Sequence, residues 1–520
     1  MPTQEYLSTA LSRAPLGLAA PQVRVEVHLG SGLPAFALVG LPEAVVRESK
    51  ERVRSALMTS GFGFPAGRIT VNLSPADLPK EGGRFDLPIA VGILAASGRI
   101  SAQALTQREF YGELSLGGEL RQTPKLLPAL LEGSRLGREL ILPSANALEA
   151  TLVRHAKLTL VSRLQQVCDA LQGKAASPGG AGPTDLTSMA ESSGLLGFPE
   201  PAPDLAEVRG QFAAKRALEV AAAGDHGLLL VGPPGAGKTL LAQRLPGLLP
   251  PLTPAESLEV ACVESAAGHR PRLGGCRPFR CPQHTASIAA LIGGSGLKPG
   301  ELSLAHLGVL FLDEFPEFPR NALEALREPL ESGVVKLTRL KRTCEFPARF
   351  QLVAAMNPCP CGYAGDPRGR CCCTAEQVLR YRQRISGPLI DRIDIHLELT
   401  ALPVQQLLDD TCAESENSAT VALRVATARQ VQIQRQGKFN SRLTQSEMSR
   451  FCALERRSKV LLGTAISRLG LSARACNRVL KLARTCADLA AEPEIRSSDI
   501  AEAIQLRALD KCPRDDAVTC

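Results

Sequence analysis

Residues 228–242 read LLLVGPPGAGKTLLA, from Leu228 to Ala242. Four apolar residues, Leu228–Val231, have the uninterrupted character of a strand buried on both faces of a sheet. A glycine-rich turn follows, and then a helix-forming run. Gly232, Pro233, Pro234, Gly235, Ala236, Gly237, Lys238 and Thr239 fit the pattern G-x-x-x-x-G-K-[ST] in the strand–turn–helix setting it requires. Glycines let the backbone wrap phosphates with its N–H groups turned inward. The helix that follows presents its positive dipole end to the anion. Lys238 is then the ligand of the β- and γ-phosphates, and Thr239 the ligand of Mg²⁺.

Downstream by about 75 residues, a second apolar run from Gly308 to Leu312 ends in Asp313-Glu314. A carboxylate at the C-terminal end of a strand faces the ligand crevice of an open α/β sheet. The reading gives Asp313 to Mg²⁺, directly or through water, and gives Glu314 the attacking water. Asn357 closes a third apolar run in AAMNP (Ala354–Pro358), and its amide is a candidate to orient the same water.

Around these motifs the chain sorts into segments. Its 520 residues imply roughly two to four domains. Val23–Leu29 alternates apolar and polar as a half-buried strand does, and Arg68–Leu73 is another strand. Glu43–Ser60 reads as an amphipathic helix and Asp86–Ala96 as an apolar one. Residues 1–172 are therefore expected to form an α+β domain. Residues 173–197, rich in Gly, Ser, Ala and Pro, are expected to be a flexible linker. Residues 198–400 alternate short apolar strands with helices, and 401–520 read as helical throughout.

Composition narrows the class. Hydrophobic residues are 44% of the chain and charged residues 22%, as in ordinary globular proteins, and the absence of Trp leaves aliphatic side chains to fill the core. The formal net charge of +8 is too small an excess to argue for nucleic acid without clustering. The start of the chain lacks the basic-then-apolar pattern of a signal peptide. No uncharged apolar run reaches the ~20 residues that span a bilayer. A cytoplasmic protein with reduced thiols is expected, in which clustered cysteines among the 16 would be metal ligands.

One cluster stands out. Cys359 and Cys361 are followed, after a nine-residue loop, by Cys371, Cys372 and Cys373. Cys359, Cys361, Cys371 and Cys373 are the candidate ligands of a tetrahedral Zn²⁺. C-x-C is tighter than the usual C-x₂-C, and a reduced thiol-rich loop or a redox-sensitive disulfide is the alternative. Cys276 and Cys281 form a weaker candidate pair.

Basic residues cluster twice. Lys336, Arg339, Lys341 and Arg342 fall within seven residues that hold no acid, in a segment (VVKLTRLKRTCEF, 334–346) that alternates like a hairpin. Arg424, Arg429, Arg435, Lys438 and Arg442 form a second acid-free stretch. Either is a candidate to follow a nucleic-acid backbone, and either is as readily a solvated face. Few aromatics are present to stack bases, so little sequence preference is expected.

The order of phosphate loop, LFLDE (310–314), AAMNP and Leu389-Ile390-Asp391-Arg392-Ile393-Asp394 resembles the AAA+ magnesium-chelatase-like clade. The longer strings RPFRCPQHT (277–285), LAHLGVLFLDEFPEFPRNALEALREPLESG (304–333), FPARFQLVAAMNPCPCG (346–362) and SGPLIDRIDIH (386–396) resemble the YifB/ComM family within it. The resemblance covers nearly the whole chain. It implies ATP and Mg²⁺ as cofactors, a homo-oligomeric, hexameric ring, and DNA (branched or single-stranded) as partner. It further implies branch migration or unwinding during natural transformation, with the basic hairpin projecting into the ring's pore. It makes Arg392 an arginine finger for the neighbouring subunit's nucleotide and Arg474, in LSARACNRVLKLART (471–485), the second sensor of the helical lid. LPKEGGRFDLPIAVGIL (78–94), followed by GELSLGGEL (112–120), resembles the Lon-protease C-terminal fold. There Arg84 stands where the Ser nucleophile belongs, and Lys125 is two residues from the place of the dyad lysine, Leu127. A non-proteolytic domain follows, because a lysine needs a neighbouring Ser or Thr for acyl chemistry.

The fold class expected is therefore α/β: a Lon-like α+β domain (1–172), the linker (173–197), a central AAA+ P-loop domain with a parallel sheet (198–400) and a helical lid (401–520). The competing function is a chelatase-type motor that remodels a protein partner for metal insertion. A protease is disfavoured by Arg84, and a turnover-free scaffold by Glu314 and Arg392.

Overall fold

The computed structural model describes residues 7–40, 44–153, 155–174, 203–271, 274–339, 342–365, 368–400 and 416–507. All but Gly173 and Lys174 of the expected linker lie outside the described residues, as do 401–415 of the expected lid.

The N-terminal part is built on a mixed seven-stranded sheet. Its strands are β1 (Leu7–Arg13), β2 (Gln22–Gly30), β3 (Ala35–Val39), β4 (Arg68–Ser74), β5 (Arg108–Phe110), β8 (Glu139–Pro143) and β9 (Lys157–Val161), in the order β3-β4-β2-β1-β5-β8-β9. A short separate hairpin joins β6 (Glu113–Leu114) to β7 (Leu120–Arg121). Alternation decides the faces of β2: Val23, Val25 and Val27 are buried while Arg24 is exposed. The helix Asp86–Ala96 is apolar nearly all round and buried along its whole length against β1 and β2.

The central part carries a five-stranded sheet of β10 (Leu228–Val231), β11 (Phe279–Arg280), β12 (Val309–Leu312), β15 (Gln351–Met356) and β16 (Ile395–Glu398). The order is β11-β12-β15-β10-β16, and every pairing is parallel. Every residue of β10, β12 and β15 is buried, which explains their apolar runs. The antiparallel hairpin β13 (Val334–Arg339) and β14 (Arg342–Pro347) stands apart from this sheet.

Among the described residues, five α-helices form the C-terminal part: Ser418–Gln436, Gln445–Phe451, Arg456–Leu469, Ala473–Leu489 and Ser497–Gln505. The first and fourth pack on the helix Phe212–Gly224 of the central part. A buried polar bridge crosses the same boundary. The His226 ring meets Asp394 through Nδ1 and Thr485 Oγ1 through Nε2, each at 2.8 Å, and Arg478 donates to Asp394 at 2.5 Å. The N-terminal part also docks on the centre. The helix Leu127–Arg135 packs on Pro254–Ala267, where Ser265 donates to Glu149 at 3.1 Å. Leu16 and Leu18 pack into the cluster that holds Phe346 at the base of the β13–β14 hairpin.

The architecture is thus a mixed α/β protein with a parallel sheet and a helical C-terminal region. No helix among the described residues is long and apolar enough to cross a membrane.

Candidate nucleotide site

The loop Gly232–Gly237 leaves the C-terminal end of β10 and opens the helix Lys238–Leu248. Gly235 and Gly237 sit at φ +77° and +84°, in the left-handed region that glycine enters without strain. Gly232 is constrained differently: a Cβ there would come within 2.9 Å of the Leu399 carbonyl oxygen just past β16. The backbone therefore curls at a helix N-terminus, a shape that receives phosphate oxygens.

Lys238 uses all three of its donors. Its Nζ donates to the Gly232 carbonyl at 2.6 Å, the Pro233 carbonyl at 3.0 Å and Asn357 Oδ1 at 2.9 Å. Burial lowers the Lys238 pKa from its ordinary value, against the opposing pull of Asp313 and Glu314. Thr239 Oγ1 donates to Asp313 Oδ2 at 2.8 Å, and the Glu314 N–H donates to Asp313 Oδ1 at 2.9 Å. Glu314 itself lies in the left-handed region at φ +51°, and its carboxylate meets His284 Nδ1 at 3.0 Å. Lys238, Thr239, Asp313, Glu314 and Asn357 thus gather where three parallel strands end. A hydroxyl, an acid and a lysine so arranged suit a magnesium polyphosphate, and a second acid beside them suits a water nucleophile.

Arg392 and Arg474 lie elsewhere. Arg392 precedes β16, whose first residue, Ile395, pairs with Leu228 at the start of β10. The phosphate loop follows the other end of β10, where Val231 pairs with Glu398. Arg392 Nη2 pairs with Glu331 at 2.5 Å, Nη1 donates to the Pro388 carbonyl at 2.6 Å, and Nε is buried with no hydrogen-bond partner among the described residues. Arg474 is 73% exposed and its nearest acid is Asp391 at 3.7 Å. Both arginines line a cavity of about 240 Å³ with Glu331, Asp391 and Arg478. Among the described residues no hydrogen bond or ion pair joins either arginine to Lys238, Thr239, Asp313, Glu314 or Asn357.

The basic hairpin is present, with Arg339 and Arg342 directly opposite each other at the end of the ladder. Arg339 is exposed and Lys341 lies outside the described residues. Lys336 is exposed but paired with Glu345 at 3.1 Å. The acid missing from Lys336–Arg342 is thus supplied by the antiparallel strand.

The second basic stretch is not a free cationic face, which corrects one of the two expectations for it. Arg424 pairs with Glu219 and Glu416, Arg435 with Asp488, Lys438 with Glu447 and Arg442 with Asp225. Arg429 is buried, donates to the Ala222 carbonyl at 2.7 Å and stacks over Phe439. Arg424, Arg429 and Arg442 fasten the helical region to the central part, while Arg435 and Lys438 pair within it.

Arg84 is buried and donates to the carbonyls of Pro124 and Lys125 at 2.6 and 3.3 Å. Burial brings its pKa down to about 10. The Lys125 ammonium pairs with Glu81 at 3.2 Å. No serine or threonine hydroxyl contacts either side chain among the described residues.

The cysteine loop brings its members together. Cys359 Sγ is 3.3 Å from Cys361 Sγ and 3.8 Å from Cys371 Sγ, and Cys361 and Cys371 are 3.6 Å apart. With Cys373 they form a group whose sulfurs all lie within 4.8 Å of one another, and Cys372 stays outside it. The N–H groups of Tyr363 and Cys372 bring the Cys361 thiol down to about 6. Cys276 and Cys281 are exposed and enter no such group among the described residues.

Sequence reasoning missed His284 as a partner of Glu314. It sits within RPFRCPQHT, but only the parallel β11–β12 pairing carries that segment to the end of β12. The sole signal was the string itself.

Comparison with known proteins adds three family matches. The model for magnesium chelatase, subunit ChlI, matches residues 204–407. Subunit ChlI of Mg-chelatase matches 25–146, and its C-terminal model matches 415–507. The chain is 47% identical to competence protein ComM of Haemophilus influenzae, over 97% of this chain and 98% of that protein. It is also 47% identical to the YifB protein of Escherichia coli, with the same coverage of 97% and 98%. A shorter stretch, 26% of this chain and 14% of its relative, is 30% identical to DNA helicase MCM8 of Xenopus tropicalis.

Proposed function

The chain belongs to the YifB/ComM family of magnesium-chelatase-like AAA+ proteins, and from that premise we propose that it is an ATP-driven, hexameric DNA motor that promotes branch migration or unwinding. Competence, the function in the name of its ComM relative, sets the context: recombination during natural transformation. The cytoplasm is its proposed place.

ATP and Mg²⁺ are the proposed cofactors. Gly232–Gly237 wraps the phosphates, Lys238 trades its loop carbonyls for β- and γ-phosphate oxygens, and Thr239 with Asp313 holds Mg²⁺. Glu314 polarises the attacking water and Asn357 helps to orient it. Arg392 and Arg474 complete the site from the next subunit: Arg392 as the finger on the transferred phosphate, Arg474 as second sensor. Zn²⁺ at the four clustered thiols is a further, structural cofactor. The N-terminal part serves as a non-proteolytic Lon-like domain for assembly or DNA contact.

One observation carries the proposal. Within a subunit Arg392 precedes the end of the parallel sheet opposite the phosphate loop, and Arg474 lines one cavity with it, which supports a role for both arginines at a neighbour's nucleotide. Arg339 and Arg342 at the hairpin end supply cations for a DNA backbone.

The test is displacement of a labelled strand from a three-way or four-way DNA junction. ATP should drive it, and a non-hydrolysable analogue should not. A second reading, remodelling of a chelatase-type protein partner, draws on the three matching family models. It would prevail if the junction stays intact while a large chelatase subunit stimulates turnover.

A further inference from the structure

The turn that carries the clustered thiols is packed on the phosphate loop. Gly362 lies at φ +85°, and a Cβ on it would stand 2.7 Å from Pro234 Cδ and 3.8 Å from Asn357 Cγ. The turn closes through Gly362 N–H to the Cys359 carbonyl at 3.0 Å, and the Ala364 N–H points at Cys359 Sγ at 3.2 Å. Two residues upstream of Cys359, Asn357 accepts the hydrogen bond from Lys238. Thiol cluster, Asn357 and Lys238 are therefore consecutive parts of one packed unit.

The sulfur geometry identifies what the cluster takes. A disulfide needs about 2.05 Å, and Cys359 and Cys361 are 3.3 Å apart. Zn–S bonds of about 2.3 Å at tetrahedral angles put sulfurs about 3.8 Å apart. The separations of 3.3, 3.6 and 3.8 Å approach that spacing. Cys359 is fully buried and the other three are half-buried, so the four close around a centre with no open position for water chemistry.

We propose that Cys359, Cys361, Cys371 and Cys373 bind one structural Zn²⁺, and that this metal knot props the phosphate loop through Gly362–Pro234 contact and fixes Asn357 against Lys238. Binding ties Cys371 and Cys373 to the end of β15. Without the metal, the turn is free to withdraw from Pro234, and Lys238 loses the side-chain acceptor that holds it at the site. Metal loss would then weaken nucleotide binding. Metal binding stands independently of the nucleotide reading, whereas the coupling rests on it.

The experiment uses the full-length chain purified under reducing conditions. Metal content is read by mass spectrometry of the desalted protein, and affinity by titration with a fluorescent ADP analogue. The expected content is about one zinc per chain, lost in Cys361→Ser and in Cys373→Ser and kept in Cys372→Ser. Zinc-stripped wild type, with its circular dichroism unchanged, should bind the analogue about tenfold more weakly or worse, and added zinc should restore it. Chain that takes up no zinc, or Cys361→Ser that keeps it fully, overturns the metal site. Zinc removal that leaves the affinity unchanged overturns the coupling. If zinc-loaded wild type binds no analogue, the nucleotide reading falls and the coupling with it, while the metal site stands.

Discussion

Lys238 and Arg392 lie at opposite ends of one parallel sheet: the loop before Lys238 leaves the C-terminal end of β10, and Arg392 precedes the N-terminal end of β16, its neighbour. A fully extended strand advances about 3.3 Å per residue, so strands of four residues already separate the two groups beyond side-chain contact. Arg392 is instead pinned to Glu331, with one nitrogen buried and unpartnered.

Arg392→Ala should therefore leave nucleotide binding intact while lowering turnover by ~10³ or more. Mixing it with Lys238→Ala chains, each inactive alone, should recover part of the activity, because some interfaces would pair an intact loop with an intact finger. Steady-state ATPase of the mixtures reads this out. No recovery at any ratio, with mixed oligomers demonstrated, would argue against action between subunits.

Asn357→Ala removes the one side-chain acceptor of Lys238. Turnover should fall by about 10- to 100-fold, while affinity for nucleotide, set mainly by the backbone loop, changes less. Single-turnover hydrolysis alongside equilibrium binding separates the two. A loss confined to affinity would assign Asn357 to binding alone.

The two basic segments should behave oppositely. Arg339→Ala with Arg342→Ala should weaken single-stranded DNA binding and flatten its salt dependence by a slope of about 1.4, two phosphate contacts at ~0.7 each. Arg435→Ala should leave that slope alone and lower stability, since it strips the buried Asp488 of a cationic partner. Salt titrations and melting curves distinguish these outcomes. A slope change in Arg435→Ala would return the second segment to the DNA interface.

Much of this arrangement is legible in the sequence, and the remainder has a physical reason for being hidden. Strands β10, β12 and β15 are apolar throughout because both faces are covered, so composition alone marks them. The helix Asp86–Ala96 is as plain for the same reason. Strand β16 is harder: it holds buried His396 and follows buried Asp394, polar residues that only tertiary partners make tolerable. The fate of the second basic stretch is hard to read from sequence because three of its acids are remote in the chain, Glu219 lying 205 positions from Arg424, Asp225 lying 217 from Arg442 and Asp488 lying 53 from Arg435. Glu314 and His284 likewise meet only once β11 and β12 pair.

Acid should loosen the bridge between the central and helical parts. Burial alone would raise the Asp394 pKa, but Arg478 and His226 outweigh it and hold the carboxyl below its ordinary range. A depressed folded-state pKa contributes stability that is full above the unfolded value of about 3.9 and is lost as pH falls through the folded one. Asp394→Asn should cost about 3 kcal/mol at pH 7, with the gap from wild type closing below about pH 4. Urea unfolding across pH checks this. A gap that stays constant or widens in acid would contradict the assignment.

The most direct test of the central claim is the ATPase rate of the full-length protein with and without branched, single-stranded and duplex DNA, with Glu314→Gln as control. The account predicts strong stimulation by DNA, ranked by structure and abolished in the control. A normal basal rate, lost in Glu314→Gln and indifferent to every DNA, would contradict the DNA motor and point to a protein client.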